Sequence, residues 1–192
     1  MKRGTVLVCM AAGLIGAFAL GRAAAQEGND LMALFKKAAK PGPQHAAMMK
    51  CAGTWDCETK EFQPGGEPKV TKGQVVRTEA FGGRFLKEEF SVQMGGEPVS
   101  GVGYSGFNNC TGKYEMIWLG TMGTDMAFMT GTETEAGKAW EYKGSFAGPG
   151  GMQIKSRVVA RKISDDQEVM EMYNDMGTGE MKCMEITYTR AK

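Results

Sequence analysis

The sequence predicts an all-β protein, an up-and-down antiparallel barrel of about ten strands with a short N-terminal helical segment. From Gly53 onward, long runs of residues of alternating polarity follow one another, as expected for strands. Clusters of turn-forming residues separate the runs, and every connection is short, so consecutive strands are expected to be antiparallel neighbours. The clusters lie at residues 63–68, 82–84, 95–98, 108–112, 120–123, 135–137, 148–151, 164–166 and 177–179.

Closure of the sheet follows from the number of strands. In a ten-strand meander the first and last strands run in opposite directions and can pair, which removes both exposed edges. A barrel is therefore favoured, with a two-sheet sandwich as the alternative. The alternation is clearest in the run KAWEYKGSF, where Trp140, Tyr142 and Phe146 share one face.

The first 25 residues have the pattern of a signal peptide. Lys2 and Arg3 precede an apolar run from Val6 to about Leu20, and residues 23–25 (Ala-Ala-Ala) offer a cleavage site of the A-x-A kind. The run is too short to span a membrane comfortably, and Cys9 stands too early for lipid attachment. We expect an exported, periplasmic or secreted protein without a membrane anchor, whose mature chain begins at Gln26.

Three regions are therefore predicted: the signal peptide at 1–25, a helical segment and linker at 26–50, and the barrel domain at 51–192. The helical segment is expected to begin at Asn29 or Asp30, which can cap a helix, and to break at residues 41–43, Pro-Gly-Pro. A second short helix is expected from Pro43 to Met49.

Charge and composition exclude some classes of partner. Removal of residues 1–25 from the 192-residue chain leaves 167 residues, and the 23 basic residues fall to 20 against 22 acidic ones. No basic stripe indicates nucleic-acid binding. The chain also lacks a phosphate-binding loop or dinucleotide fingerprint, so no cofactor is expected.

Four cysteines remain after cleavage, an even number that in an exported chain favours two disulfides over a metal site. The predicted strand directions favour Cys51 with Cys110 and Cys57 with Cys183. Cys57 shares a face with Trp55 whereas Cys183 opposes its apolar neighbours, so Cys51 with Cys57 stays open as an alternative.

Two residues at the ends of the strand region resemble the signature of calycins, the group that contains lipocalins and fatty-acid-binding proteins. They are the tryptophan of a Gly-x-Trp motif (Gly53, Trp55) and Arg190 in the last strand. The resemblance implies that the Arg190 side chain lies across Trp55 at the closed end of the barrel, a cation–π contact of about 1 kcal/mol.

A closer resemblance covers nearly all of the mature chain. The segments PGPQHAAMMKCAGTWD, FGGRFLKEEF, GVGYSGFNNCTGKYEMIWLGTMGT and MEITYTR resemble a bacterial domain-of-unknown-function family, number fifteen seventy-nine. This resemblance implies a calycin-like barrel and no established reaction.

Two titratable side chains were weighed for chemistry. His45 is the one histidine of the chain, and because no second histidine or nucleophile motif surrounds it, a capping or hydrogen-bonding role is favoured over catalysis or metal binding. Glu88 shares a face with Leu86 and Phe90, where a carboxylate needs a partner. A structural pair with an inward arginine, Arg77 or Arg157, is the favoured interpretation, and anchoring of a ligand's polar head is the alternative.

The leading functional hypothesis is a non-enzymatic barrel that holds a small apolar or amphipathic ligand. The alternatives are an enzyme that uses Glu88 and His45 on a small substrate, and an interaction module with a filled barrel. Methionine is abundant, and its flexible side chains suit an apolar interior that adapts to its ligand. A Cu(I) site is the less favoured interpretation of the same methionine pattern. The predicted lining residues are Glu88, Phe90, Tyr104, Met116, Trp118, Met126, Phe128, Trp140 and Tyr142.

Overall fold

The computed structural model describes residues 22–94 and 96–192. It contains two α-helices, ten strands and one turn of 3-10 helix at Pro149–Gly151. The helices are α1 (Arg22–Ala38) and α2 (Pro43–Met49). The strands are β1 (Gly53–Glu61), β2 (Lys69–Ala80), β3 (Phe85–Met94), β4 (Glu97–Asn108), β5 (Lys113–Gly120), β6 (Ala127–Glu135), β7 (Ala139–Ala147), β8 (Gln153–Lys162), β9 (Gln167–Asp175) and β10 (Glu180–Arg190).

The ten strands form one closed antiparallel barrel. Each strand pairs with its neighbours in the chain, and β1 pairs with β10 to close the sheet. The sandwich alternative is thereby excluded. Each of the nine predicted turn clusters overlaps, in its described residues, a connection between strands, because glycine, proline, asparagine and aspartate supply the backbone geometry that tight turns need.

The chain divides into two compact units between Lys40 and Pro41. The first contains α1, which starts at Arg22 and not at the predicted caps, Asn29 or Asp30. Alanines 23–25 extend the helix in the N-terminal direction because alanine has the highest helix propensity. The predicted signal peptide lies outside the described residues except for residues 22–25. Among the described helices, none is long and apolar enough to cross a bilayer.

The second unit, Pro41–Lys192, contains α2 and the barrel. α2 packs against β3 and β4 at the end of the barrel where β1 starts. We call this the α2 end, and the opposite end, which carries the β1–β2, β3–β4, β5–β6, β7–β8 and β9–β10 connections, the open end.

Alternation along the strands, together with the pairing register, fixes which side chains point inward. One inward row runs through Glu88, Gly103 and Trp118, which are direct partners across β3, β4 and β5. A buried apolar cluster occupies the β10–β1–β2–β3 side of the interior. Its members are Trp55, Cys57, Val75, Phe90, Val92, Ile186 and Tyr188.

Candidate functional site

The α2 end of the barrel is closed by Trp55 and Arg190. The Arg190 guanidinium lies 4.3 Å from the centroid of the fully buried Trp55 ring, as expected from the sequence. Arg190 also donates hydrogen bonds of 2.9 Å to the carbonyls of Ala52 and Lys50, and Trp55 Nε1 donates one of 2.9 Å to the carbonyl of Cys51. These bonds join the segment after α2 to both closing strands.

Gly53 is required at this closure for two reasons. Its backbone φ is +130°, a value that residues other than glycine rarely adopt. A Cβ at this position would also lie 2.9 Å from Nη1 of Arg190. The Gly-x-Trp motif therefore makes room for the arginine that covers the tryptophan.

His45 has a structural role in α2. Its Nδ1 accepts a hydrogen bond of 3.0 Å from the backbone N–H of Gly42, the residue that caps the helix. The ring is buried and packs edge-on against Phe107 of β4 at a centroid distance of 6.0 Å. These contacts match the capping role expected from the sequence.

A charged network lies inside the barrel just above this closure. Arg77 Nε donates to Glu88 at 2.7 Å, and Arg77 Nη1 donates to Glu168 at 2.6 Å. The guanidinium also lies 4.5 Å from the centroid of the Tyr188 ring and 5.1 Å from that of Trp55. Of the two arginines considered for Glu88, the partner is therefore Arg77; Arg157 binds Glu180 and Glu141 instead.

Burial alone would lower the pKa of Arg77, whose side chain is only 7% exposed, but the two carboxylates outweigh it and hold the pKa above its ordinary value. Arg77 is therefore a permanent cation matched by two anions. The pKa of Tyr188 is raised, chiefly by burial, so its phenol stays neutral.

Sequence reasoning missed Glu168. Its partner Arg77 lies 91 residues away in the chain, and no local pattern connects them. A signal was nevertheless present, since Glu168 shares a face with Met170 and Met172, just as Glu88 shares one with Leu86 and Phe90.

We call the part of the interior enclosed by the inward-facing residues of β4–β10 the lumen. Its aromatic rings lie against strands that carry glycine. A Cβ at Gly101 would lie 2.2 Å from Cζ2 of Trp118, and one at Gly103 would lie 3.1 Å from its Cε3. Likewise, a Cβ at Gly131 would lie 2.6 Å from Cδ1 of Tyr142. The rings therefore pack close to the wall of the barrel, in room that the glycines leave.

Methionines line the lumen in cross-strand pairs. Met172 faces Met184 across β9 and β10, and Met116 faces Met129 across β5 and β6. Most inward residues of this region are only half-buried. Because the wall of the barrel is continuous, solvent reaches an inward side chain only from the interior or through an end of the barrel. These residues are Met116, Trp118, Tyr142, Met170, Met172, Asn174 and Met184.

Four buried polar atoms of inward residues make no hydrogen bond to any described part of the chain: Thr59 Oγ1, Trp140 Nε1, Ser156 Oγ and Asn174 Oδ1. Ser156 and Asn174 are direct partners across β8 and β9. A buried polar atom without a partner costs about 1–3 kcal/mol. The lumen thus combines apolar walls with unused hydrogen-bonding groups, the combination found in small-molecule sites.

A second, polar cleft of about 200 Å³ opens at the α2 end. Two ion pairs lie within the cleft, since Lys162 binds Asp165 at 2.5 Å and Arg190 lies 3.2 Å from Asp166. The lining residues are Lys50, Cys51, Lys162, Asp165, Asp166, Glu168 and Arg190.

Six of the nine residues predicted to line the interior face inward: Glu88, Phe90, Met116, Trp118, Trp140 and Tyr142. Tyr104 and Phe128 do not, because both are partners of Ile117 on the outer face of the sheet. Met126 precedes β6 in an exposed connection at the open end.

The predicted disulfides are absent from the structure, in which Cys51, Cys57, Cys110 and Cys183 are free thiols. Cys57 faces Tyr188 and not Cys183. Cys183 lies five residues before Tyr188 in β10, at a shift in the pairing register. Cys51 contacts Glu168, whereas Cys110 is exposed in the β4–β5 turn, so neither Cys51 with Cys110 nor Cys51 with Cys57 is joined. Burial raises the pKa of Cys57 to about 11 and that of Cys51 to about 12.

Within residues 22–94 and 96–192, no group of three or more histidine, cysteine, aspartate or glutamate side chains is arranged to hold a metal ion. Comparison with curated proteins gave no match.

Among solved structures, the fold is similar to that of Rv2717c from M. tuberculosis, with 17% sequence identity and a TM-score of 0.59 over 80% of this chain and 100% of that one. A redesigned beta barrel, b11L5F_LGL, matches at 14% identity and a TM-score of 0.42 over 77% of this chain and 96% of that one.

In a comparison with protein families, residues 40–190 match a family model; this stretch contains α2 and all ten strands. The match covers the closing pair Trp55 and Arg190 and the network of Arg77, Glu88 and Glu168. The chain belongs to the family described as "Protein of unknown function (DUF1579)".

Proposed function

We propose that this protein is an exported barrel that binds a small apolar or amphipathic ligand in its lumen. The observation that supports the proposal is the position of Trp118 and Tyr142, whose rings pack against glycine-bearing strands and are only half-buried although they face inward. A barrel that served only as a scaffold would be expected to fill its interior with side chains.

The open end offers a route for such a ligand. Exposed methionines surround it, and their flexible thioethers adapt to apolar guests of different shape. They lie in or beside three of its connections: Met122, Met126, Met152, Met176 and Met181.

The proposal is tested by titrating the purified protein with N-phenyl-1-naphthylamine, an uncharged fluorescent probe of apolar cavities. We expect one probe per chain, with energy transfer from tryptophan because Trp118 lines the lumen.

Two matched variants make the test specific. Ala160→Phe adds a ring at an inward position between Trp140 and Met170, whereas Thr132→Phe adds the same ring on the outer face of β6. Ala160→Phe is expected to weaken probe binding by about tenfold or more, and Thr132→Phe is expected to leave it unchanged. Equal binding by both variants, each shown to be folded by circular dichroism, would place the probe outside the lumen and contradict the proposal.

Export is the second part of the proposal and rests on residues 1–25 of the sequence. Cell fractionation followed by intact-mass measurement tests it, with a mature chain that begins at Gln26 as the expected result. A chain recovered from the cytoplasm with residues 1–25 attached would contradict export and leave ligand binding to be judged separately.

A further inference from the structure

We infer that the lumen selects a neutral amphiphile, whose head carries a hydroxyl or amide group, over a carboxylate or ammonium amphiphile of the same chain length. This inference rests on the proposed function, because it names the class of ligand that the same lumen takes. Its basis is the balance of charge inside the barrel and the position of the unused hydrogen-bonding atoms.

A fatty-acid anion would need a free cation inside the barrel. Arg77 is the cation that points inward above the closure, and both of its contacts of 2.6–2.7 Å are already made to carboxylates. A third carboxylate would therefore lose its hydration and meet two negative charges beside one positive charge.

Two cations at the α2 end are matched as well. Lys162 binds Asp165, and Arg190 binds Asp166 and two backbone carbonyls.

An ammonium head is disfavoured by the same network. The Glu88 and Glu168 carboxylates, which are 23% and 18% exposed, are held by Arg77. A cation that approached them would face the Arg77 charge and would have to compete with two short charge-assisted hydrogen bonds.

The unused polar atoms suit a neutral head that both donates and accepts hydrogen bonds. Trp140 Nε1 is a donor, Asn174 Oδ1 is an acceptor, and the hydroxyls of Thr59 and Ser156 act as either. An alcohol or an amide supplies both functions without charge. Ser156 and Asn174 are neighbours across β8 and β9, beside Met172 and Val158, so one head group reaches both while its chain contacts the apolar wall.

The test compares three probes with ten-carbon chains, namely 1-decanol, decanoate and decyltrimethylammonium, by isothermal titration of the purified protein at pH 8. We expect decanol to bind at least about tenfold more tightly than either ion. Tighter or equal binding of decanoate or of decyltrimethylammonium would overturn the inference while the proposed function stood. Failure of all three probes, and of the uncharged naphthylamine, would overturn both.

Two variants test the two parts of the argument. Glu88→Gln combined with Glu168→Gln leaves Arg77 without its anions and is expected to raise the affinity for decanoate by about tenfold or more. Asn174→Leu removes an unused acceptor and is expected to weaken the binding of decanol about tenfold. Thr187→Val, on the outer face of β10, is expected to leave the binding of decanol unchanged. Unchanged decanoate affinity in a folded double variant, or unchanged decanol affinity in Asn174→Leu, would contradict the inference.

Discussion

Arg190 and Trp55 are direct partners across the β1–β10 pair that closes the barrel, and the guanidinium covers the indole at 4.3 Å. The same arginine holds the two carbonyls that follow α2. One side chain therefore contributes both to the closure of the sheet and to the attachment of the helix.

Arg190→Ala is expected to lower the free energy of unfolding by about 2–3 kcal/mol, because it removes the cation–π contact and leaves two carbonyls without their donor. Urea denaturation measures this change. Lys113→Ala, at an exposed position at the start of β5, is the control and is expected to change stability by less than about 0.5 kcal/mol. A loss at Arg190 as small as that at Lys113 would show that the closure does not depend on this contact.

Arg77→Ala is expected to lower the free energy of unfolding by about 3 kcal/mol or more, since it leaves Glu88 and Glu168 without their cation inside the barrel. Arg77→Met combined with Glu88→Gln and Glu168→Gln is expected to recover most of that loss, because no uncompensated charge remains. Denaturant unfolding of both variants measures the difference. A triple variant no more stable than Arg77→Ala would contradict the assignment of the cost to unpaired charge.

Gly101→Ala is expected to destabilise the protein by about 1–3 kcal/mol, because its Cβ would lie 2.2 Å from Trp118 and 2.8 Å from the backbone oxygen of Leu119. Gly66→Ala is the matched control, since a Cβ there would meet nothing within 4 Å. Thermal denaturation compares the two. Equal stability of the two variants would mean that the Trp118 ring does not rest against β4.

Protonation of Glu171, on the outer face of the barrel, is expected to lower the stability of the protein in acid. Hydrogen bonds from Lys182 and Arg161 lower the pKa of Glu171 from 4.5 to about 2. A carboxylate whose pKa is lower in the folded state contributes stability above its unfolded pKa and loses it as the pH falls towards its folded pKa. The contribution is therefore present at pH 7 and lost between pH 4.5 and about 2.

Glu171→Gln is accordingly expected to lower the free energy of unfolding at pH 7 by on the order of 1 kcal/mol, with a difference from wild type that shrinks towards pH 2. Urea midpoints measured across this pH range test the sign. Glu67→Gln, at an exposed position in the β1–β2 connection, serves as the control. A difference that grew as the pH fell would contradict the assignment.

The cysteines are expected to react as separate thiols. At pH 8 an aromatic disulfide reagent should modify exposed Cys110 first, because burial raises the pKa of Cys51 and Cys57 and keeps them protonated. Cys110→Ser should remove the fast phase. Non-reducing peptide mapping that found a bond between any of the four described cysteines would contradict the free-thiol state.

Sequence alone was sufficient for the strand count and the closure, because turn residues and alternation are local signals and parity then decides which strands meet. The Trp55–Arg190 contact was implied by the resemblance to calycins. Sequence reasoning also found that Glu88 needs a cation. It did not find Glu168, since the register between strands distant in the chain is set by the closed barrel and not by any single strand.

The other errors have different causes. The prediction that Tyr104 and Phe128 face inward rests on their being aromatic, although each has the opposite parity to its inward neighbours Gly103 and Met129. The disulfide pairs rested on an even count and on strand direction, which place two cysteines at one end of a barrel without fixing the distance between them.

A crystal structure determined under xenon pressure tests most directly whether the lumen is a cavity for a guest. Xenon occupies apolar cavities without a charge or a hydrogen bond of its own. We expect xenon inside the barrel, among Trp118, Tyr142 and Met172. An interior without xenon, in which side chains from opposite walls were in van der Waals contact, would contradict the proposed function.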